Sequence, residues 1–286
     1  MHSMLPTARV TSTPPVIPYA PSRISGLVEA YRNAFEGVPV TTPAQLRAAH
    51  RLRYQVFCVE NKIFDPAKNR GGLECDEYDE HSLHAVLLHR ATQSVVGTVR
   101  LVLHKPGARH GSLLFHQLCR HPRLNDLDFL PLETTGEIGR FAIAKAFRPS
   151  PGADEGGRLS EFGNFSGTDR RLIPQMSLGL IKVALQMCIA QRIRDVCAAM
   201  EPSLLRLLGG LGLHFHPLGP PVDYYGLRQP CYTNLVELFA RCRVERPEVW
   251  AVTTDHGRLF GADHAAAEPA HREAFSPAER AIALPA

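Results

Sequence analysis

The segment 174–191, PQMSLGLIKVALQMCIAQ, constrains the fold most. It is apolar nearly all round, and a helix of that kind has to be buried. Pro174 marks its first turn, where a missing N–H is tolerated. A chain of 286 residues, 44% hydrophobic, can surround such a helix with a sizeable core. That length suits one large domain with extensions, or two small ones. No apolar run approaches the ~20 residues of a membrane span. The opening MHSMLPTARVTSTPPVIPYAPS lacks the apolar core of a signal peptide, so the expected location is cytoplasmic.

The remaining elements alternate. Residues 1–22 are expected to be disordered, and SGLVEAYRNAF is a short helix. TTPAQLRAAHRLRYQVFCVEN is a longer one, with Thr42 as N-cap, Pro43 at the first helical position and Gln45 completing a capping box. Leu46, Ala49, Leu52, Val56 and Phe57 share one arc of it, and Arg53 and Glu60 fall inside that arc. A charge there needs a partner, a ligand or a path to water. HAVLLHR and VVGTVRLVLH form an antiparallel hairpin, with Arg100 on the same face as Val96, Thr98 and Val102. GEIGRFAIAKAF is a strand on which strict alternation would separate Glu137 from Arg140, and a bulge at Gly139 would swing both to one side. Residues 149–169 have the composition of a lid or binding loop. IRDVCAAM is a strand, EPSLLRLLGGLG a helix, and LHFHPLG and CYTNLVELF two final strands around PPVDYYGLRQP. This order predicts one mixed α/β domain over 23–261, a loose tail over 262–286, and a site where central strands diverge.

Charge and cysteine usage narrow the chemistry. A net charge of +4 is too small to suggest nucleic acid, but the stretch from Lys145 to Arg194 carries eight Lys/Arg against four Asp/Glu and could face an anionic partner. Arg170 and Arg171 immediately precede the buried helix, where the macrodipole disfavours cations. A bound anion would resolve that conflict, and so would simple solvation of a loop. The seven cysteines, an odd number without a C-x-x-C pair, argue against a disulfide framework and a zinc ribbon.

LECDEYDE, residues 73–80, places five acids in eight positions. A calcium loop is excluded, because DEYDEHSLHAVL lacks the central glycine and terminal glutamate. His214 and His216 lack two further ligands for a metal, and no metal is expected. Cys58 and Cys75 show no basic neighbour in sequence that would make either a nucleophile. A solvated acidic turn competes with a second reading: Arg53, Arg100 and Arg140 all lie in element interiors and need carboxylates, and ECDEYD supplies some.

RLRYQVFCVEN with ECDEYDEHSLHAVL, VVGTVRLVL, EIGRFAI and AAMEPSLLRLLGGLGLHFHPLGPPVDYYGLRQPCY resembles the acyl-homoserine-lactone (autoinducer) synthases and the N-acyl amino acid synthases. It is most similar to the PEP-CTERM/exosortase system-associated acyltransferases, from about Pro43 to Leu259. The resemblance implies a GNAT-like acyl-CoA N-acyltransferase fold: a mixed central sheet with splayed central strands flanked by helices. It implies transfer of a long-chain fatty acyl group from an acyl carrier protein or CoA thioester to a small amine, with no bound cofactor. Arg53, Phe57, Glu74, Asp76, Asp79, Arg100, Glu137 and Arg140 match the charged and aromatic positions that autoinducer synthases share. Phe64 stands where that pattern has Trp, and Gly139 where it has Ser. These departures favour an amino acid over the homoserine-lactone route. GTDRRLIPQMSLG matches poorly the pyrophosphate loop of acetyl-CoA enzymes.

Within that frame Glu74 or Glu137 is the general base and the other orients the amine. Asp76 and Asp79 hold the ammonium or lock the arginines. Arg53, Arg100 and Arg140 bind an acceptor carboxylate or form the same ion network without substrate. Backbone N–H groups near Phe141 and Ala142 form the oxyanion hole. Phe57, Phe64, Phe141 and the Met176–Met187 helix line an acyl tunnel or simply pack the core. Lys145, Arg148, Arg170 and Arg171 meet the donor's phosphate or the acidic face of a carrier protein. Any membrane contact is peripheral, through a lipid product. Two alternatives stay open: an autoinducer synthase using S-adenosylmethionine, and a non-catalytic module that binds acyl carriers or lipid.

Overall fold

The structure, a computed structural model, describes residues 21–105, 107–108, 112–127, 129–144 and 173–259. In chain order these form α1 (Pro21–Ala34), β1 (Phe35–Pro39), α2 (Pro43–Tyr54), β2 (Ser82–His89), β3 (Ser94–Val102), α3 (Phe115–Leu118), β4 (Thr135–Ile143), α4 (Ile173–Ala190), β5 (Asp195–Met200), α5 (Pro202–Gly210), β6 (His216–Pro217), β7 (Val222–Asp223), β8 (Leu227–Asn234), α6 (Leu235–Glu245) and α7 (Pro247–Thr253). The strands make one mixed sheet ordered β1-β2-β3-β4-β5-β8-β6, with β7 paired to β8. Lys145, Arg148, Arg170, Arg171, the 149–169 loop, the first 20 residues and the tail expected over 262–286 lie outside the described residues.

The expected buried helix is α4, and every described side chain from Met176 to Leu185 except Lys182 is buried. It packs against β1, β2, β3 and β4. A Cβ on Gly97 of β3 would stand 3.0 Å from Leu180 of α4. Residues 97, 99 and 101 therefore face α4, and Thr98, Arg100 and Val102 face the opposite side. α2 packs against β2, β3 and β4. Thr42 caps it, with the Thr42–Gln45 capping box in place.

Beyond Tyr54 the backbone leaves α geometry and runs as a π-helical turn, Gln55–Glu60, in which Asn61 N–H donates to Val56 O at 3.0 Å. The sequence predicts one continuous helix here. The two forms differ only in where each N–H finds its carbonyl, and side-chain periodicity does not distinguish them over one turn.

Three other expectations need correction. α1 begins at Pro21, inside the segment expected to be disordered. FEGVP is an edge strand, β1, pairing with β2 from Phe35↔His89 to Pro39↔Ala85. CYTNLVELF is not one strand: β8 ends at Asn234, whose side chain accepts from Val236 N–H at 3.0 Å and starts α6. LHFHPLG supplies only the two-residue β6.

The centre of the sheet positions the site. β4 and β5 are parallel and pair only over Thr135–Glu137 and Asp195–Cys197. Past these residues β4 stays with β3 and β5 stays with β8, so the sheet opens between them. In β4 the register jumps from Arg100↔Gly139 to Thr98↔Ala142, leaving Arg140 and Phe141 off the ladder. This is the anticipated bulge, but the left-handed backbone falls on Arg140 (φ +48°) and not on Gly139. A non-glycine residue there costs ~1–2 kcal/mol, and the bulge turns Arg140 onto the face that carries Glu137 and Arg100.

Candidate active site

Arg53 leaves the last turn of α2 and is fully buried. Glu74 N–H donates to His50 O at 3.1 Å, which ties the acidic segment to α2. The next residues wind into a short 3₁₀ turn, Glu77–His81, with a reciprocal cap. Tyr78 N–H donates to Asp76 Oδ1 at 3.0 Å, and Asp76 N–H donates to Asp79 Oδ2 at 2.9 Å. Both carboxylates are thereby oriented by their own segment's backbone as well as by the arginines.

Three arginines from three elements converge on these acids. Arg53 Nε donates to Glu74, and its Nη1 and Nη2 donate to Asp79 Oδ1 (2.8 Å) and Oδ2 (3.1 Å). Arg100 Nη1 donates to Asp76 Oδ1 (2.5 Å) and Asp79 Oδ1 (2.7 Å). Arg140 Nε donates to Glu74 Oε1 (3.1 Å), and its Nη2 to Asp76 Oδ2 (2.6 Å). Three cations thus meet three carboxylates in a closed, neutral lattice. Burial works against the charge of Arg53 and Arg140, but the surrounding carboxylates outweigh it and raise both pKa values. Burial would likewise raise Asp76 and Asp79, yet the arginines hold both below the usual carboxylate range. All seven residues expected at the catalytic centre are at this place except Glu137, which belongs to the lattice's edge.

Glu137 is buried and has a different environment. Its Oε2 accepts from Phe115 N–H at 2.9 Å. Desolvation pushes its pKa up from 4.5 to about 7, against the lowering effects of Phe115 N–H, Arg100 and Arg140. It lines a cavity of about 490 Å³ that fills the opening between β4 and β5. Its polar lining includes Arg100, Glu137, Arg140, Glu201, Tyr224 and Arg228, and its apolar lining Ile138, Phe141, Ile143, Ile181, Leu204 and Leu208. Arg100 is 2% exposed and its Nε has no partner among the described residues.

The aromatic expectations divide. Phe57 and Phe64 meet at 5.8 Å, and Arg140 stacks over Phe64 at 4.9 Å and Phe57 at 5.8 Å. Both rings line the cavity, as does Phe141, while Ala142 does not and pairs in register with Thr98. A second depression, about 580 Å³ over Cys58–Pro66, is lined by none of the ion lattice.

Sequence reasoning missed several neighbours. His50 Nε2 and His84 Nε2 stand 3.8 and 3.7 Å from Asp79. Burial lowers the pKa of both, His84 to about 4. His50, Asp79 and His84 offer ligand atoms within 4.8 Å of one another. Both Asp79 oxygens already accept from Arg53, one also from Arg100, and these guanidiniums oppose a divalent cation there. His84 was legible as the hairpin partner of Arg100. Tyr225, which packs on Phe64 at 5.0 Å, carried no local signal.

Burial raises the pKa of Cys58, Cys119, Cys188, Cys197, Cys231 and Cys242, so these six are neutral thiols. Cys75 is exposed. Among the described residues no helix is long and apolar enough to cross a membrane.

Comparison with known proteins bears on the fold. Residues 52–155 match the family model described as an acetyltransferase (GNAT) domain. No curated protein matches the chain in sequence. Among solved structures, TofI in a ternary complex with an inhibitor and MTA aligns with a TM-score of 0.50 and 18% identity, over 73% of this chain and 95% of that one. BjaI with MTA, a CoA-dependent acyl-homoserine lactone synthase, aligns with a TM-score of 0.49 and 21% identity over 80% and 90%. FeeM, an N-acyl amino acid synthase from uncultured soil microbes, gives 0.49 and 12% over 74% and 97%. The fold is the GNAT-like α/β fold, with a single mixed sheet opened at its centre.

Proposed function

We propose that the chain is an N-acyltransferase that moves a long-chain fatty acyl group from a carrier-protein or CoA thioester to the amine of an amino acid or a similar small amine. The observation that carries this reading is the cavity through the β4–β5 opening. Its lining combines apolar side chains suited to an acyl chain with a buried carboxylate whose pKa is pushed up to about 7. A base poised near the working pH is the kind that proton transfer favours.

The lattice favours Glu137 over Glu74 as the base in this reading. Glu74 is held by Arg53 and Arg140, so it positions the arginines. Glu137 has one hydrogen-bond partner among the described residues, Phe115 N–H, and borders the cavity. In this mechanism Glu137 accepts a proton from the acceptor ammonium, and the freed amine attacks the thioester carbon. The C–N bond forms, and the carbonyl electron pair moves onto oxygen. The Phe141 N–H, off the ladder at the bulge, stabilises that oxyanion. Collapse breaks the C–S bond, the thiolate takes the proton that Glu137 had accepted, Glu137 then takes the proton shed by the new amide nitrogen and returns it to solvent, and the amide is released. The buried thiols make no covalent intermediate in this scheme. The place beside an exosortase system belongs to this reading through sequence resemblance alone.

Mass spectrometry of lipid extracts tests the proposal. Cells expressing the wild-type chain are expected to accumulate N-acylated amino acids that are absent from cells expressing Glu137→Gln. Acyl-homoserine lactones in their place would select the S-adenosylmethionine route. Acyl-carrier or lipid binding without any new amide would select a non-catalytic module.

A further inference from the structure

Among the described residues five charged ones line the cavity: Arg100, Glu137, Arg140, Glu201 and Arg228. Arg100 and Arg140 already face Glu74, Asp76 and Asp79, so neither brings an unmatched charge to a ligand. Arg228 is in a different position. Among the described residues its guanidinium meets one carboxylate, Glu201 Oε1 at 3.3 Å, and the two side chains are 17% and 58% exposed. Its other contacts are to the carbonyls of Leu227 (3.1 Å) and Tyr225 (3.2 Å). An ion pair with so exposed a partner contributes little to stability. A carboxylate entering the cavity can displace Glu201 and engage the planar guanidinium with two oxygens.

Register places Arg228 on the side of the sheet where the chemistry lies. Glu137 is opposite Cys197, and Cys197 is opposite Tyr232. Arg228 precedes Tyr232 by four residues on β8, and residues an even number apart on a strand share a face. Four residues along a strand and two strand spacings across separate the Cα atoms of Glu137 and Arg228 by roughly 16 Å. Two side chains converging on one cavity from that separation leave room for a molecule the size of an amino acid.

We infer that Arg228 holds the carboxylate of the acyl acceptor in place of Glu201 while the amine lies at Glu137, so the acceptor class is a free amino acid and not its ester, lactone or amide. This rests on the acyl-transfer reading above. It also gives the lattice arginines a positioning role, leaving the reading of the acceptor to a residue outside the acidic segment.

The test uses the full-length chain, an acyl-CoA donor, and a series of amino acids beside their amides and methyl esters. The wild type is expected to prefer the acids. Arg228→Gln is expected to raise KM for the acids about ten- to a hundredfold, the effect of losing a charged hydrogen-bonded partner, with KM for the amides and the donor unchanged. Arg228→Lys keeps the charge and loses the two-oxygen geometry, so it should fall between. Glu201→Gln removes the competing carboxylate and is expected to lower KM for acids alone, which a purely structural Arg228–Glu201 pair would not do. Equal use of acids and amides would overturn the inference and leave acyl transfer standing. A rise confined to the donor KM in Arg228→Gln would overturn it too, assigning Arg228 to the donor's phosphate. Absence of transfer to every acceptor would overturn the acyl-transfer reading and this inference with it.

Discussion

Replacing Glu137 with Gln separates the role of this carboxylate from the stability it removes. In the fold its pKa is about 7 instead of 4.5, because burial strips its carboxylate of water. At ~1.4 kcal/mol per pH unit, ionising it inside the fold costs about 3 kcal/mol. The sign follows from the folded value being the higher one. The native state binds this proton more tightly, so the contribution is fully present below pH 4.5 and is lost as pH rises through about 7. Glutamine fills nearly the same volume and never ionises. The variant should therefore match the wild type in acid and exceed it in base, by roughly 2–3 kcal/mol over the interval from about pH 5 to about pH 8.5. For a chain of this size that is a Tm difference of roughly 3–6 °C. Urea unfolding of both proteins at the two pH values reads it directly, and subtraction cancels every other titrating group. Activity should move the other way, with kcat/KM of the wild type rising through pH ~7 and the variant losing turnover. Parallel stability curves for the two proteins would refute the reasoning.

Removing Arg53 leaves Glu74 and Asp79 buried without their main partner. Arg53→Met should lose ~3–5 kcal/mol in chemical denaturation, and Arg53→Lys should also be destabilised because an ammonium cannot span both acids. His84, whose folded value is lowered to about 4 from 6.5, contributes stability that is present above pH 6.5 and lost as pH falls through about 4. His84→Asn should flatten that acid slope, seen as the wild-type-minus-variant difference in urea unfolding. A Cβ on Gly179 would stand 2.5 Å from Tyr31 Cε2 and 2.7 Å from Leu87 Cδ1. Gly179→Ala should therefore cost ~1–3 kcal/mol by overpacking α4 against α1 and β2, measured as a loss of Tm. Asn234→Ala removes the α6 cap and a hydrogen bond from Asn234 Nδ2 to Asp195 Oδ1 (2.9 Å). About 1 kcal/mol is the expected loss.

The parts of this fold that were legible in sequence are those set by local chemistry. Thr42 and Gln45 announce α2, the alternation around Arg100 announces the β2–β3 hairpin, and the apolar run at 174–191 announces α4. Arginines in element interiors foretold carboxylate partners, and the acidic segment supplies all three. The parts that escaped depend on partners distant in sequence. Phe35–Pro39 contains a glycine and ends in proline, and it is a strand only because β2 offers an open edge. The Asn234 cap was visible as Asn followed three residues later by Glu237, but the apolar run of CYTNLVELF concealed the change of period. The bulge was readable at Gly139, whereas its strain falls on Arg140, held there by Glu74 and Asp76. Arg228 gave no signal, because its place in the cavity follows from the register of β5 with β8.

The measurement closest to the central claim is the pH dependence of amide formation and thiol release by the purified chain, given an acyl thioester and an amino acid. The account predicts that the two products appear in equal amounts, that the rate rises as Glu137 ionises near pH 7, and that Glu137→Gln abolishes both. Thiol release without amide, or a Glu137→Gln protein that turns over with the wild-type pH profile, would contradict it.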